Sequence, residues 1–191
     1  MTHIQRYPNA PWLYDDTTGD IVGVKDPDGS ELLFQRAANY GYFCDLSDQS
    51  DGINTPNAIE FDTTVIGQGI SIVSATKITF ARGGKFKFTL TAQVENSNNQ
   101  AHNFYLWGRL NGTNIPNTLT RFSVPSSHGG LNGALVVERS YFGVMSAGQY
   151  IEVMWMTDNA AVTLQHTAAQ VGPPALPATP SVTLIVTEVA T

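Results

Sequence analysis

Phe104-Tyr105-Leu106-Trp107-Gly108-Arg109-Leu110-Asn111-Gly112, followed by Ile115-Pro116-Asn117, is the stretch whose reading decides the fold. Aromatic and branched residues crowd its first half, and such residues suit a pleated, half-buried surface. Asn111-Gly112 then signals a tight hairpin turn, because both residue types tolerate positive φ. The run reads as a strand entering a hairpin. Outwards from it the same grammar repeats. Lys85-Phe86-Lys87-Phe88-Thr89-Leu90-Thr91 alternates with period two, which sends Phe86, Phe88 and Leu90 to a core and Lys85 and Lys87 to water. Further strands are expected over 58–66, 70–73, 77–80, 134–144, 150–156, 161–165 and 181–189. The four prolines within 171–180 keep that segment out of any sheet interior. No helix and no repeat is expected.

Composition agrees. The 191 residues suffice for one domain, or one domain with an appendage. Apolar residues make up 42%, while charged residues make up only 14%, and Thr and Asn supply the missing polarity. There is no apolar run long enough to span a membrane. The start, MTHIQRYPNAPW, lacks the apolar stretch of a secretory signal, so none is expected. Cys44 has no second cysteine to pair with. A net charge of −6, with scattered Lys and Arg, argues against a nucleic-acid partner.

Two parts are expected. Residues 1–38 form an N-terminal arm. It holds the apolar cluster Trp12-Leu13-Tyr14 and a hairpin, with strands over 20–24 and 31–34 joined by the turn Asp26-Pro27-Asp28-Gly29. A lone hairpin is marginal in water, so the arm needs a partner surface. Residues 39–191 form the body. The expected fold class is all-β: a jelly-roll sandwich of about ten short antiparallel strands, preceded by the arm.

Two strands break the one-face rule. Phe104, Leu106 and Leu110 occupy one face of the first, and Tyr105 and Trp107 the other. Ile151, Val153 and Trp155 occupy one face of the second, and Tyr150, Met154 and Met156 the other. A sandwich buries one face of each sheet. The second apolar face therefore predicts a homo-oligomer, with Tyr105, Trp107, Tyr150, Met154 and Met156 at the interface. The other reading is that the N-terminal segment covers this face, or that the aromatics stay half exposed.

Catalytic signals are poor. His128 follows Ser126 and Ser127 in a Gly-rich loop without a nucleophile-elbow pattern, and reads as loop polarity. Cys44 reads as a small buried thiol. His3, His102, His128 and His166 share no zinc spacing. Asp45, Asp48 and Asp51 are spaced by three with no closing Glu, so a solvated loop is expected and not a calcium site. Asn111-Gly112-Thr113 matches a glycosylation acceptor, which without a signal peptide means nothing. No catalytic residue, metal site or cofactor is expected.

A family resemblance rests on specific stretches: Phe61-Asp62-Thr63-Thr64, Gly84-Lys85-Phe86-Lys87-Phe88, the deciding run itself, Ala147-Gly148-Gln149-Tyr150-Ile151-Glu152-Val153-Met154-Trp155, and Pro180-Ser181-Val182-Thr183-Leu184-Ile185-Val186-Thr187. Over roughly residues 40–190 the chain resembles the tumour-necrosis-factor/complement-type jelly roll of bacteriophage virion proteins. Gln149 stands where that family's turn usually carries Asp. Residues 18–31 resemble a short N-terminal module of phage structural proteins. The resemblance implies a trimer whose inner sheets pack about a three-fold axis, a virion location after assembly in the host cytoplasm, and no catalysis.

Among virion roles, the chain has no heptads, collagen-like triplets or β-helical repeats for a fibre shaft. The expected role is a homotrimeric capsid decoration, or cement, protein. Its arm residues Trp12, Leu13, Tyr14, Leu33 and Phe34 would attach it to the major capsid protein. The alternative is a receptor-binding head on a tail fibre or tail tip, joined through a tail adaptor, with polar loops at 96–100, 114–117 and 126–132. A polysaccharide hydrolase would need paired carboxylates, and Glu60, Glu95, Glu138 and Glu152 are scattered.

Overall fold

Period-two alternation becomes strand after strand in the computed structural model, which describes residues 4–5, 12–15, 21–25, 31–33 and 37–190. The chain divides into two compact units, 1–38 and 39–191. In the first unit, β1 (Ile4–Gln5), β2 (Trp12–Asp15), β3 (Ile21–Lys25) and β4 (Glu31–Leu33) form an antiparallel sheet in chain order. The expected hairpin is β3–β4, with Lys25 opposite Glu31 and Gly23 opposite Leu33. Its turn, Asp26 to Gly29, lies outside the described residues. Two strands not anticipated from the sequence extend the hairpin, which matches the need for three or more strands to stabilise a small sheet.

The second unit is a sandwich of β5 (Tyr40–Asp45), β6 (Asn57–Ala58), β7 (Thr63–Gln68), β8 (Ile70–Val73), β9 (Lys77–Phe80), β10 (Gly84–Asn96), β11 (His102–Leu110), β12 (Thr113–Asn114), β13 (Thr120–Val124), β14 (Gly133–Met145), β15 (Tyr150–Thr157), β16 (Val162–Leu164) and β17 (Val182–Ala190). One sheet runs β14-β10-β17-β5-β7, with β16 beside β10. The other runs β12-β11-β15-β9-β8, with β13 beside β11 and β6 beside β15. Every pairing is antiparallel among the described residues. No helix occurs among them.

The stretch 58–66, expected as one strand, is split. β6 joins one sheet and β7 the other, and the buried Ile59 and Phe61 anchor the crossing between them. The short strands β6 and β12 add to the expected set, and β16 falls within the strand expected over 161–165. Phe86, Phe88 and Leu90 are buried and Lys85 and Lys87 are exposed, as the alternation requires. Asn111 (φ 47°) and Gly112 (φ 83°) form the two-residue turn between β11 and β12. In the core Phe104 packs on Trp155 of the neighbouring strand with ring centroids 5.8 Å apart, and Phe80 packs across the sheets on Phe86 at 4.7 Å.

Candidate functional site

The two doubly apolar strands, β11 and β15, are neighbours. Tyr105 lies opposite Met156, Trp107 opposite Met154 and Arg109 opposite Glu152, all on the face away from the core. The chain covers much of this face by itself. Met154 is 1% exposed and Trp107 9%. Trp107 Nε1 donates to Asn114 Oδ1 at 2.9 Å, tying the hairpin arm back over the sheet. Arg109 Nε lies 2.9 Å from Glu152 Oε2, so the buried carboxylate has a charged partner. Tyr105, Tyr150 and Met156 are half-buried. Within the single chain Met154 keeps almost no exposed surface and Trp107 little, while Tyr105, Tyr150 and Met156 keep more. Asn114 reaches Trp107 through the folded hairpin, which strand-by-strand reading does not show.

A set of exposed apolar side chains lies on the other sheet. β10 sends Phe86, Phe88 and Leu90 inward, so Lys85, Lys87 and Thr89 face out. Register carries that face across the sheet: Val144 opposite Lys85, Phe142 opposite Lys87, Ile185 opposite Thr89, Tyr42 opposite Ile185 and Ile66 opposite Tyr42. Phe142 is 73% exposed and Val144 71%. Val136, Ile185 and Ile66 are also exposed. β14 is the terminal strand of this sheet and runs over 13 residues. A long apolar edge with unpaired backbone groups is a template for association. The signal was present in sequence. β14 alternates between Val137, Tyr141 and Met145 on one face and Val136, Phe142 and Val144 on the other, so it too is apolar on both faces.

The polar candidates do not assemble into a reaction centre. Asp45 accepts hydrogen bonds from Ser47 N, Ser47 Oγ and Gln49 Nε2. Asp48 accepts from His166 N at 2.8 Å and Asp51 from Gly52 N. These carboxylates serve loop backbone, and no trio of His, Cys, Asp and Glu gathers among the described residues. His102 Nδ1 lies 3.3 Å from Asp158 Oδ1, but His102 Nε2 is buried without a partner, so this dyad presents no nucleophile.

Burial works to raise the Asp158 pKa, yet two hydrogen bonds from Asn103 and the adjacent His102 outweigh it and hold the carboxyl below its ordinary value. A depressed folded pKa contributes stability above the unfolded value, and that contribution is lost as pH falls through the folded value. Thermal melts should show the native protein more stable than Asp158→Asn near neutral pH, with the gap closing below about pH 4. A gap that widens on acidification contradicts this.

Cys44 is buried, and burial followed by the charges of Asp62 and Asp45 pushes its thiol pKa up. Thiolate is the reactive form. Cys44 should therefore react slowly with a disulfide reagent in the folded protein and rapidly in denaturant, and equal rates would refute it.

In the N-terminal unit, Trp12 is exposed and Leu13 is 1% exposed. Of these two neighbours, Trp12 is the one that presents surface. Tyr14 and Leu33 lie in β2 and β4, and Phe34 lies outside the described residues.

Two facing sheets in this strand order, with an exposed apolar face and no reaction centre among the described residues, define the class: a tumour-necrosis-factor-like jelly roll. The particular structures it resembles are crystal structures of murine APRIL at pH 5.0 and pH 8.0. The TM-scores are 0.51 and 0.50 at 10% sequence identity, over 80% of this chain and 100% of each APRIL chain. At that identity the likeness carries the fold alone. No family model matches the chain, and no curated protein matches it in sequence.

Proposed function

We propose that this chain is a bacteriophage virion structural protein, a non-catalytic homotrimer that decorates and cements the capsid. The observation that carries the reading is the exposed apolar face of the six-stranded sheet around Phe142, Val144 and Ile185. An exposed patch of this kind marks an interaction surface, and a second copy supplies the matching one. Phage origin rests on the sequence resemblance over residues 40–190 and 18–31. The separate N-terminal unit, with Trp12 exposed, supplies a second contact for the shell.

A second reading has its own observation. On the outer face of the other sheet, Tyr105, Trp107 and Met156 line an open groove with Pro56, Asn114 and Asn117. An aromatic shelf beside amide groups suits a receptor on the host surface, as a tail-fibre or tail-tip head would need.

Immunogold labelling of intact particles tests the choice. Label spread over the shell supports cementing, and label confined to the tail supports the receptor-binding head. Absence from particles refutes both. Deleting residues 1–37 should then leave a folded oligomer that no longer binds shells. Retained binding would acquit the arm.

A further inference from the structure

We propose that the cavity between the two sheets binds a small aliphatic carboxylate. The cavity measures about 230 Å³ and lies inside the sandwich, lined by Phe88, Leu90 and Leu184 from one sheet and Leu106, Ile151 and Val153 from the other. Its origin is two absent side chains. Gly108 on β11 and Gly143 on β14 both occupy core-facing register positions, between Leu106 and Leu110 and between Tyr141 and Met145. Both glycines line the cavity, and both remain partly exposed, as do Leu110 and Val153. The space is therefore open to solvent where β14 faces the Ile115–Thr118 turn.

Water is a poor occupant. A held water needs two to four polar partners, and these mostly apolar walls supply few, so an apolar molecule that displaces solvent is the better occupant. A cavity of about 150 Å³ holds benzene, so by proportion this one holds roughly nine carbon atoms. That excludes the acyl chains of membrane lipids as full occupants and favours a free medium-chain molecule.

The rim supplies the charge. Arg139 lines the cavity, is exposed, and has no carboxylate partner among the described residues. Its Nε donates to Tyr141 Oη at 3.1 Å, and its guanidinium lies 5.1 Å from the centre of the Tyr141 ring. Tyr141 Oη in turn donates to Thr118 O at 2.6 Å, pinning the two sides of the mouth together. The guanidinium is thereby held in place with its terminal nitrogens unused. An apolar chain inside and an anionic end at Arg139 satisfy both halves of the site.

The test titrates the full-length protein with hexanoate, octanoate, decanoate, palmitate and 1-octanol, read by calorimetry. Saturable one-to-one binding that is tightest for octanoate or decanoate is expected. Arg139→Gln should weaken octanoate by roughly ten- to a hundredfold and leave 1-octanol unchanged. Gly143→Val should abolish uptake of both. Its Cβ would sit 3.1 Å from Met145 Cε, the far end of an unbranched side chain, and 3.4 Å from Phe88 Cε2, and the backbone there is not in the left-handed region. If Gly143→Val fails to fold, the Arg139→Gln comparison decides alone. No saturation by the native protein overturns the proposal, as does palmitate binding as tightly as octanoate. Uptake by a dissociated variant alone also overturns it, since a second copy would then fill the space.

Discussion

Phe142→Glu will leave the β-sandwich folded and dissolve the proposed homotrimer. Phe142 contributes nothing to the core. It stands on the terminal strand β14, faces away from the buried side chains, and lies opposite Lys87 on β10. The exposed pair it forms with Val144 offers a contact that is driven by apolar burial, worth about 25 cal/mol per Å². Losing a central aromatic anchor costs about 2–4 kcal/mol, or roughly 30- to 1,000-fold in association. A carboxylate placed there adds a desolvation penalty. Sedimentation equilibrium should show the mass fall to that of one chain, with the circular dichroism spectrum unchanged. Trp107→Ala should change the association far less, because the chain already covers Trp107. An oligomer that survives Phe142→Glu would remove the six-stranded sheet as the contact, and with it the main support for the trimer.

Trp155→Ala will have the largest effect on folding itself. Trp155 is 2% exposed, sits on the inward face of β15, and packs its ring on Phe104. Truncating such a residue removes its transfer energy and leaves a void, at about 3–5 kcal/mol. That is a large share of the roughly 5–15 kcal/mol by which domains are stable. Lys85→Ala, on the exposed face of β10, should stay within about 0.5 kcal/mol. Urea titrations of the two variants measure the difference, and a loss below about 1 kcal/mol for Trp155→Ala would contradict this packing.

The short-range physics was legible in the residues. Alternation in Lys85–Thr91 assigned inside and outside, because successive strand side chains point to opposite faces. Asn111-Gly112 announced its turn, because few residues accept positive φ twice in succession. Phe104, Leu106, Ile151, Val153 and Trp155 were assigned to one face each, and register places them together toward the core. The double apolarity of β11 and β15 was equally legible, but not its meaning. That meaning depends on what lies above the sheet, and Asn114 reaches Trp107 only once the hairpin has folded back.

By itself, then, the chain determined its strand grammar, its all-β class and the identity of its core, since these follow from periodicity and local backbone preference. Tertiary structure decided which doubly apolar strand stays uncovered. Register across five strands gathers Phe142, Val144, Ile185, Tyr42 and Ile66 onto one exposed face. It also decided that Gly108 and Gly143, 35 residues apart, open on one cavity. Both outcomes depend on contacts between segments distant along the chain, and periodicity within a single segment carries no information about them.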